Sequence, residues 1–326
     1  MKVLWIIPGK EEGSSFIFSR RQVRRLMEMG VSGKTYFLHS RTNLFSLIRS
    51  WKEAKKIIDD LRPDIIHAHY GSVNGFFALR LRHPKTIITF HGSDINDISS
   101  VGFLRKFISK KASDYCLQNS VCNIIVNEDL KNKVPEKYRS KTFVIPMGVD
   151  ENVFKPMPRG DAKKMLGWNL NEKVVLFNGN DPVIKRKDIA EKAIEYVKKQ
   201  LPEARLEVLN GSIDPEKIPW LLNASDVLLL CSDSEGSPMM IKEAMACNLP
   251  IVSTIVGDTQ QRLEHVDGAI LTNQNPEDIS EKIIEILSKN TLFNLRESFL
   301  NQKLSEQSIC NEVIRVYEKI HNNTLI

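Results

Sequence analysis

Residues 231–253 read CSDSEGSPMMIKEAMACNLPIVS, a run of strand, loop, helix and strand. An apolar stretch ends at Cys231, small and polar residues follow, Pro238 suits the first position of a helix, and Pro250 opens a second β-branched run. Such a unit joins parallel strands of one sheet through a helix on its face. The same pattern fills the rest of the chain. Upstream, apolar runs at 3–8, 35–39, 64–69, 86–91, 115–119, 124–127 and 142–146 are expected strands; downstream, 173–178, 206–210, 226–231, 250–254 and 269–271. Helical patterns lie between them, as at 187–201, where Ile189, Ala193, Ile194, Val197 and Leu201 share one face. The expected fold class is α/β, with two doubly wound Rossmann-like domains.

A length of 326 residues suits two such domains. The Gly- and Pro-containing stretch IPMGVDENVFKP at 145–156 separates the two sets of strands, so the boundaries are set at 1–149 and 150–305. In 306–326, Ile309, Val313, Val316, Tyr317 and Ile320 recur at helical spacing, and this helix is expected to pack back toward the first domain. Ligands of open parallel sheets sit beyond the carboxyl ends of the strands, so two facing sheets would hold donor and acceptor in the cleft between them.

The loop and helix of 231–253 carry the chemistry. Gly236 and Ser237 lack bulk, and a helix starting at Pro238 would present unpaired backbone N–H groups to an anion. Glu235 lies just ahead of that helix and Glu243 inside it. At ~1.5 Å per residue the carboxylates fall roughly 8–10 Å apart along the axis. That is too far for a shared proton and right for a nucleotide-sugar, with a sugar hydroxyl at one carboxylate, ribose at the other and the diphosphate between. The plainer alternative is that Glu235 favours the helix dipole and Glu243 is a solvated helix residue.

With AMAC at 244–247 and PIVS at 250–253, the spacing Glu235-Gly-Ser-Pro-x4-Glu243 resembles the E-x7-E donor-site motif of retaining GT-B glycosyltransferases of family 4. The likeness extends to PDIIHAH at 63–69, TFHGSD at 89–94 and IPMGVD at 145–150, in the family's order. It implies that Glu243 binds the ribose, that Glu235 contacts the transferred sugar, and that Gly236, Ser237 and Pro238 help to hold the donor. It also implies that His91, closing an expected strand, touches the sugar near the reacting carbon, and that Asp94 orients an acceptor hydroxyl. In similar enzymes Gly-Arg and a Lys about five residues later neutralise the leaving diphosphate. Here Lys185 matches the Lys, Asn180 stands where Arg is expected, and Arg186 or Lys187 would supply the missing charge. The first loop, PGKEEGSS at 8–15, is a phosphate-side candidate through Gly13. It lacks both the G-x-G-x-x-G of dinucleotide oxidoreductases and the family's paired glycines.

The reaction so implied is retaining hexosyl transfer from a UDP- or GDP-sugar to a carbohydrate or lipid-linked glycan in cell-surface polysaccharide synthesis. The nucleotide-sugar is a substrate, and no cofactor is expected. No metal site is expected either, because His67 and His69 are taken to point to opposite faces of their strand and lack Cys or carboxylate partners. Two other readings stay open: a nucleotide-sugar epimerase or hydrolase on the same fold, and a non-catalytic nucleotide-sugar-binding accessory subunit. A nucleic-acid binder would explain the excess of 46 Lys and Arg over 40 Asp and Glu, yet no recognition module accompanies it.

The five cysteines are odd in number, have no CxxC spacing and read as buried thiols of a reducing compartment. The apolar run at 3–7 is too brief for a signal-peptide core, and no stretch is long enough to span a bilayer, so a cytoplasmic location is expected. Arg20, Arg21, Arg24 and Arg25 crowd an expected helix at 15–29 and suit an anionic partner. The inner membrane surface, with a lipid-linked acceptor, is the expected one.

Overall fold

The computed structural model describes residues 1–12, 15–40, 42–95, 103–289 and 293–324, with the side chains of 103–106 outside the description. The chain divides into two units, Met1–Gly148 with Glu306–Ile326, and Val149–Ser305.

Unit 1 runs β1 (Lys2–Pro8), α1 (Ile17–Glu28), β2 (Ser32–Leu38), α2 (Leu44–Leu61), β3 (Ile65–His69), α3 (Val73–Arg80), β4 (Thr86–Phe90), α4 (Phe103–Asn119), β5 (Cys122–Ile125), α5 (Glu128–Lys133), α6 (Glu136–Arg139) and β6 (Thr142–Val144). The strands pair in parallel in the order β2-β1-β3-β4-β5-β6. All of Val3–Ile7 is buried, as a strand covered on both faces requires. Val3, Trp5 and Ile7 join a core with Val23 and Leu26 of α1 and with Val313, Val316 and Tyr317 of the chain's last helix. Trp5 Nε1 donates to the Tyr317 hydroxyl at 3.0 Å, which fixes that helix on the sheet. Neighbouring residues of β2 separate the two faces. Phe37 packs into this core, whereas Tyr36 stacks on Phe77 of α3 and donates its hydroxyl to Glu53 of α2 at 3.0 Å. One face therefore carries α1 and the last helix; the other carries α2 and α3, with α4 packed beside α3.

Two expectations for unit 1 are corrected. Residues 115–119 are the end of α4 and not a strand: Ser113, Cys116, Leu117 and Ser120 are the buried positions, and they recur at helical spacing. The first helix begins at Ile17 and not at 15, because Phe16 at its N-cap takes the left-handed conformation with φ 58°.

Unit 2 runs α7 (Arg159–Leu166), β7 (Lys173–Asn178), α8 (Lys187–Lys198), β8 (Ala204–Leu209), α9 (Ile218–Ala224), β9 (Val227–Leu230), α10 (Met239–Ala246), β10 (Ile251–Thr254), α11 (Thr259–Leu263), β11 (Ala269–Thr272), α12 (Pro276–Ser288) and α13 (Leu295–Asn301). Its parallel sheet has the order β11-β10-β9-β7-β8. Val175, Phe177, Val227 and Leu229 face one core with Ile189, Ala193 and Ile283, while Leu176, Leu228, Leu230 and Ile251 face another with Ile241, Met245 and Phe299. The last helix, α14 (Glu306–His321), belongs to unit 1.

In each sheet the order reverses at one strand. β1 lies between β2 and β3, and β7 lies between β8 and β9. Connections leaving such a strand and its neighbour diverge, which opens a crevice at their carboxyl ends.

Candidate functional site

In unit 2 the loops that follow β7 and β9, the two strands at the reversal, bring Lys185 and Glu235 together. Their side chains form an ion pair across fifty residues of sequence, and Glu235 Oε1 also accepts from the Ser232 hydroxyl at 2.9 Å. Both side chains are largely buried, so the charges attract in a medium less screening than water. The loops are also laced by backbone, since Asp233 N–H donates to Ile184 O at 2.8 Å. Gln274 then donates Nε2 to Cys231 O and to Asp233 Oδ1, each at 2.8 Å.

α10 follows directly. It starts at Met239, one residue later than expected, because Pro238 with ψ 118° is its N-cap and not its first helical residue. Pro238 offers it no side-chain cap. Its first N–H groups and its dipole therefore suit an anion. Glu243, inside this helix, is buried.

The position of the 235–238 loop depends on residues that the sequence reading did not single out. Ser237 donates its hydroxyl to Asp258 Oδ2 at 2.7 Å and accepts from Lys242 Nζ at 3.1 Å. Asp258 Oδ2 takes a further bond from Arg262 Nε at 3.0 Å. Lys242 is 1% exposed, and burial pushes its ammonium down to about 8 against the pull of Asp258. Beside this network Gly257 has φ +57°, and a Cβ there would run into the carbonyl of Gly236. The β10–α11 turn is thus a template for the Glu235-Gly236-Ser237 backbone.

The cations proposed to replace the family's arginine are already engaged. Arg186, left-handed at the N-cap of α8, pairs with Asp188 at 2.9 Å and Asp233 at 3.2 Å. Those bonds, with Asp188 the larger cause, raise its already high pKa. Lys187 pairs with Glu191 at 3.1 Å. Asn180 is exposed, and its backbone N–H donates to Asn178 Oδ1 at 3.1 Å. Among the described residues, Lys185 pairs with the candidate site residue Glu235, whereas Arg186 and Lys187 pair with Asp188, Asp233 and Glu191.

In unit 1 His91 follows β4 and lies tilted by 32° against the Tyr70 ring, with centroids 4.4 Å apart. Its Nε2 lies 3.2 Å from His69 Nδ1, so one of the two nitrogens donates and the other accepts. Burial pushes His69 down to about 3, which keeps that ring neutral. Asp94, expected to meet an acceptor hydroxyl, instead turns its carboxylate inward. It accepts from the backbone N–H groups of Gly71 at 2.8 Å, His91 at 3.0 Å and Gly92 at 2.9 Å. Burial pushes it up to about 6 in spite of those bonds. Asp94 is therefore the clamp that positions His91. Gly71 permits this approach, since a Cβ there would enter the ring of Phe90.

The expectation for His67 and His69 is also corrected. Residues two apart on a strand face the same side, and the rings stack with centroids 4.8 Å apart. His67 bonds Tyr317 at 2.6 Å and Thr89 at 2.7 Å, and burial, with His69 and His91 nearby, holds it well below its ordinary pKa. Gly13 lies outside the described residues.

Comparison with known proteins bears on this arrangement. Residues 13–153 match the family described as Glycosyltransferase Family 4, and residues 191–304 match Glycosyl transferases group 1. The chain is a family 4 glycosyltransferase with the GT-B fold. It is 27% identical over 291 residues to an uncharacterised glycosyltransferase of Methanocaldococcus jannaschii, covering 84% of this chain and 80% of that protein. It is 28% identical over 308 residues to the UDP-Gal:α-D-GlcNAc-diphosphoundecaprenol α-1,3-galactosyltransferase of Escherichia coli, covering 79% and 78%. Among solved structures, Anabaena HepE in complex with UDP-glucose is similar with a TM-score of 0.73 and 16% identity, over 98% of this chain and all of that one.

The arginine cluster of the glycosyltransferase does not form one open face. Arg25 pairs with Glu28 at 3.0 Å and reaches Gln307 of α14, and Arg20 donates to Lys10 O at 3.1 Å. Burial, then Arg24 and Arg21, lowers the Arg20 pKa. All five cysteines are buried and unpaired, and burial pushes each thiol up. Among the described residues no helix is long and apolar enough to cross a membrane.

Proposed function

We propose that this glycosyltransferase takes a hexose from a UDP- or GDP-sugar and passes it, with retention, to a carbohydrate or lipid-linked glycan of the cell surface. The observation that carries the proposal is the meeting of Lys185 and Glu235 at the carboxyl ends of β7 and β9, directly before the start of α10. Support for the donor comes from the UDP-glucose complex of the similar HepE, and for the acceptor from the lipid-linked substrate of the E. coli relative. Negative charge builds on the departing diphosphate as the anomeric carbon becomes oxocarbenium-like, and stabilising it is the main catalytic task. Lys185 and the N–H groups of α10 meet that charge. Glu235 holds a sugar hydroxyl, Glu243 the ribose, and His91 contacts the transferred sugar. The departing phosphate oxygen takes the acceptor's proton while the new bond forms on the face it leaves.

A thermal-shift panel of UDP- and GDP-sugars, followed by NMR of the product's anomeric proton, tests this. A donor at a hundred times its Kd stabilises by about 2.7 kcal/mol. No shift with any donor refutes the donor site, and an inverted product refutes retention. A second reading, nucleotide-sugar binding without turnover, draws on Asn180 and on the engagement of Arg186 by two carboxylates. A shift without product in the presence of acceptor would favour it.

A further inference from the structure

In similar enzymes an arginine at the position of Asn180 helps to neutralise the diphosphate, and Arg186 and Lys187, which follow Lys185, are paired with Asp188, Asp233 and Glu191. A different cation lies behind the site. Lys242 is the fourth residue of α10 and is 1% exposed. Both features oppose stability: burial strips water from an ammonium, and a cation in the first turn opposes the partial positive charge of a helix N-terminus. Departures from local rules of this kind are expected where function sets the choice. Helix side chains lean toward the N-terminus, and Lys242 reaches back to donate Nζ to Ser237 Oγ at 3.1 Å, one residue before the N-cap. Ser237 donates its hydroxyl to Asp258 Oδ2 at 2.7 Å, and Arg262 Nε donates to the same oxygen at 3.0 Å. Lys242, Asp258 and Arg262, all buried, thus carry one positive charge in excess. Gln302 holds Arg262, accepting from Nη1 at 3.4 Å and donating to its carbonyl at 2.9 Å, so the cluster is set before any ligand arrives. Burial lowers the pKa of Lys242 to about 8, Asp258 and Glu243 raise it and Arg262 lowers it, and the ammonium keeps its proton at neutral pH. Glu243 is the next residue, but neighbouring side chains on a helix diverge by about 100°, and the bond of the ammonium is to Ser237.

We propose that Lys242 is a positioning residue whose buried charge, acting through Ser237 and the first N–H groups of α10, supplies part of the compensation that similar enzymes draw from the arginine. The ammonium touches no substrate. Because it is out of water its field is weakly screened, and it adds to the dipole of α10 where negative charge grows on the departing diphosphate. The inference rests on the donor reading above.

The test compares the wild type with Lys242→Met, Lys242→Gln, and each of these combined with Asn180→Arg, reading nucleotide release from the UDP- or GDP-sugar that shifts the melting curve. Methionine fills the space of the lysine stem without its charge, and glutamine can keep the bond to Ser237 without the charge. Thermal melting of every variant reports folding, and the variant that melts nearer the wild type is the one read. Loss of the charge should lower kcat about tenfold, with the KM for the donor changing less. Adding Asn180→Arg should bring kcat back to within about threefold of wild type. A lysine that only braced the loop would leave the double variant as slow as the single one, because residue 180 lies on a different loop. That result, or a kcat for the uncharged variant within about twofold of wild type, overturns this inference and leaves the donor reading standing. A wild type that binds no nucleotide-sugar overturns the donor reading and this inference with it.

Discussion

Replacing Lys185 by alanine tests the reading at its strongest point. In the free protein the ammonium is neutralised by Glu235, and both side chains are largely out of water. Donor binding therefore exchanges one anionic partner for another, and the net gain for the ground state is small. As the diphosphate departs, its charge grows, and the ammonium is in place without reorganisation. Removing one preorganised group of this kind costs about 10²–10³ in rate, or about 2.7–4 kcal/mol of transition-state stabilisation. The loss should fall on kcat, with KM for the donor changing less than about fivefold. Lys185→Ala should also lower the stability of unit 2 by about 1–3 kcal/mol. That is less than the loss of a fully buried pair, since water reaches both side chains and Ser232 stays bonded to Glu235. Lys185→Arg should recover part of the rate by keeping the charge. Steady-state nucleotide release, with a melting curve for each variant, separates the effects. A kcat for Lys185→Ala within about threefold of wild type would refute the reasoning.

Three further outcomes follow from the same geometry. Glu243→Ala should weaken nucleotide binding by roughly 1.5–3 kcal/mol, the worth of hydrogen bonds to a charged group, with the melting curve little changed; calorimetry that finds equal affinity removes the ribose assignment. Gly257→Ala forces a side chain into a left-handed position that costs about 1–2 kcal/mol and presses on the Gly236 carbonyl, so donor affinity should fall although residue 257 is given no donor contact; unchanged affinity would show that the turn is no template. Because Asp94 has its folded pKa raised to about 6, its stabilising contribution is full below the unfolded value near 4 and is lost as pH rises through 6, by about 3 kcal/mol in all. Asp94→Asn should flatten that decline in urea unfolding between pH 4 and 7, and equal slopes in both proteins would contradict it.

The fold was legible because strands covered on both faces read as unbroken apolar runs, and β7 lies at 173–178 as expected. The misreading at 115–119 has the same physical origin. Tyr115, Cys116 and Leu117 are an apolar triplet that suits a strand, and only the longer spacing from Ser113 to Ser120 shows a helix burying one side. Backbone conformation was less visible. Nothing in the pattern around Phe16 or Arg186 announces a left-handed residue, since both positions are usually left to glycine or asparagine.

At the site, what could be read was what lies close in sequence. The spacing of Glu235 and Glu243 is a property of one loop and one helix, and so is the small size of Gly236 and Ser237. The supports come from elsewhere in the chain: Lys185 reaches Glu235 from the loop after the neighbouring strand β7, and Asp258, itself held by Arg262, reaches Ser237 from the loop after β10. One signal for the second group was present. α10 is apolar on nearly every side, with Ile241, Ala244, Met245 and Ala246 all buried, and Lys242 lies among them. A lysine in a helix with no solvated face must find a carboxylate or a hydroxyl, because an unpaired buried ammonium is too costly to keep. That requirement predicts an acidic partner arriving from another loop, and Asp258, linked to Lys242 through the Ser237 hydroxyl, meets it. The loop before α10 is thus held by charges that lie outside it. This explains how Glu235 can be placed on a turn as short as 235–237, ahead of the helix that carries Glu243.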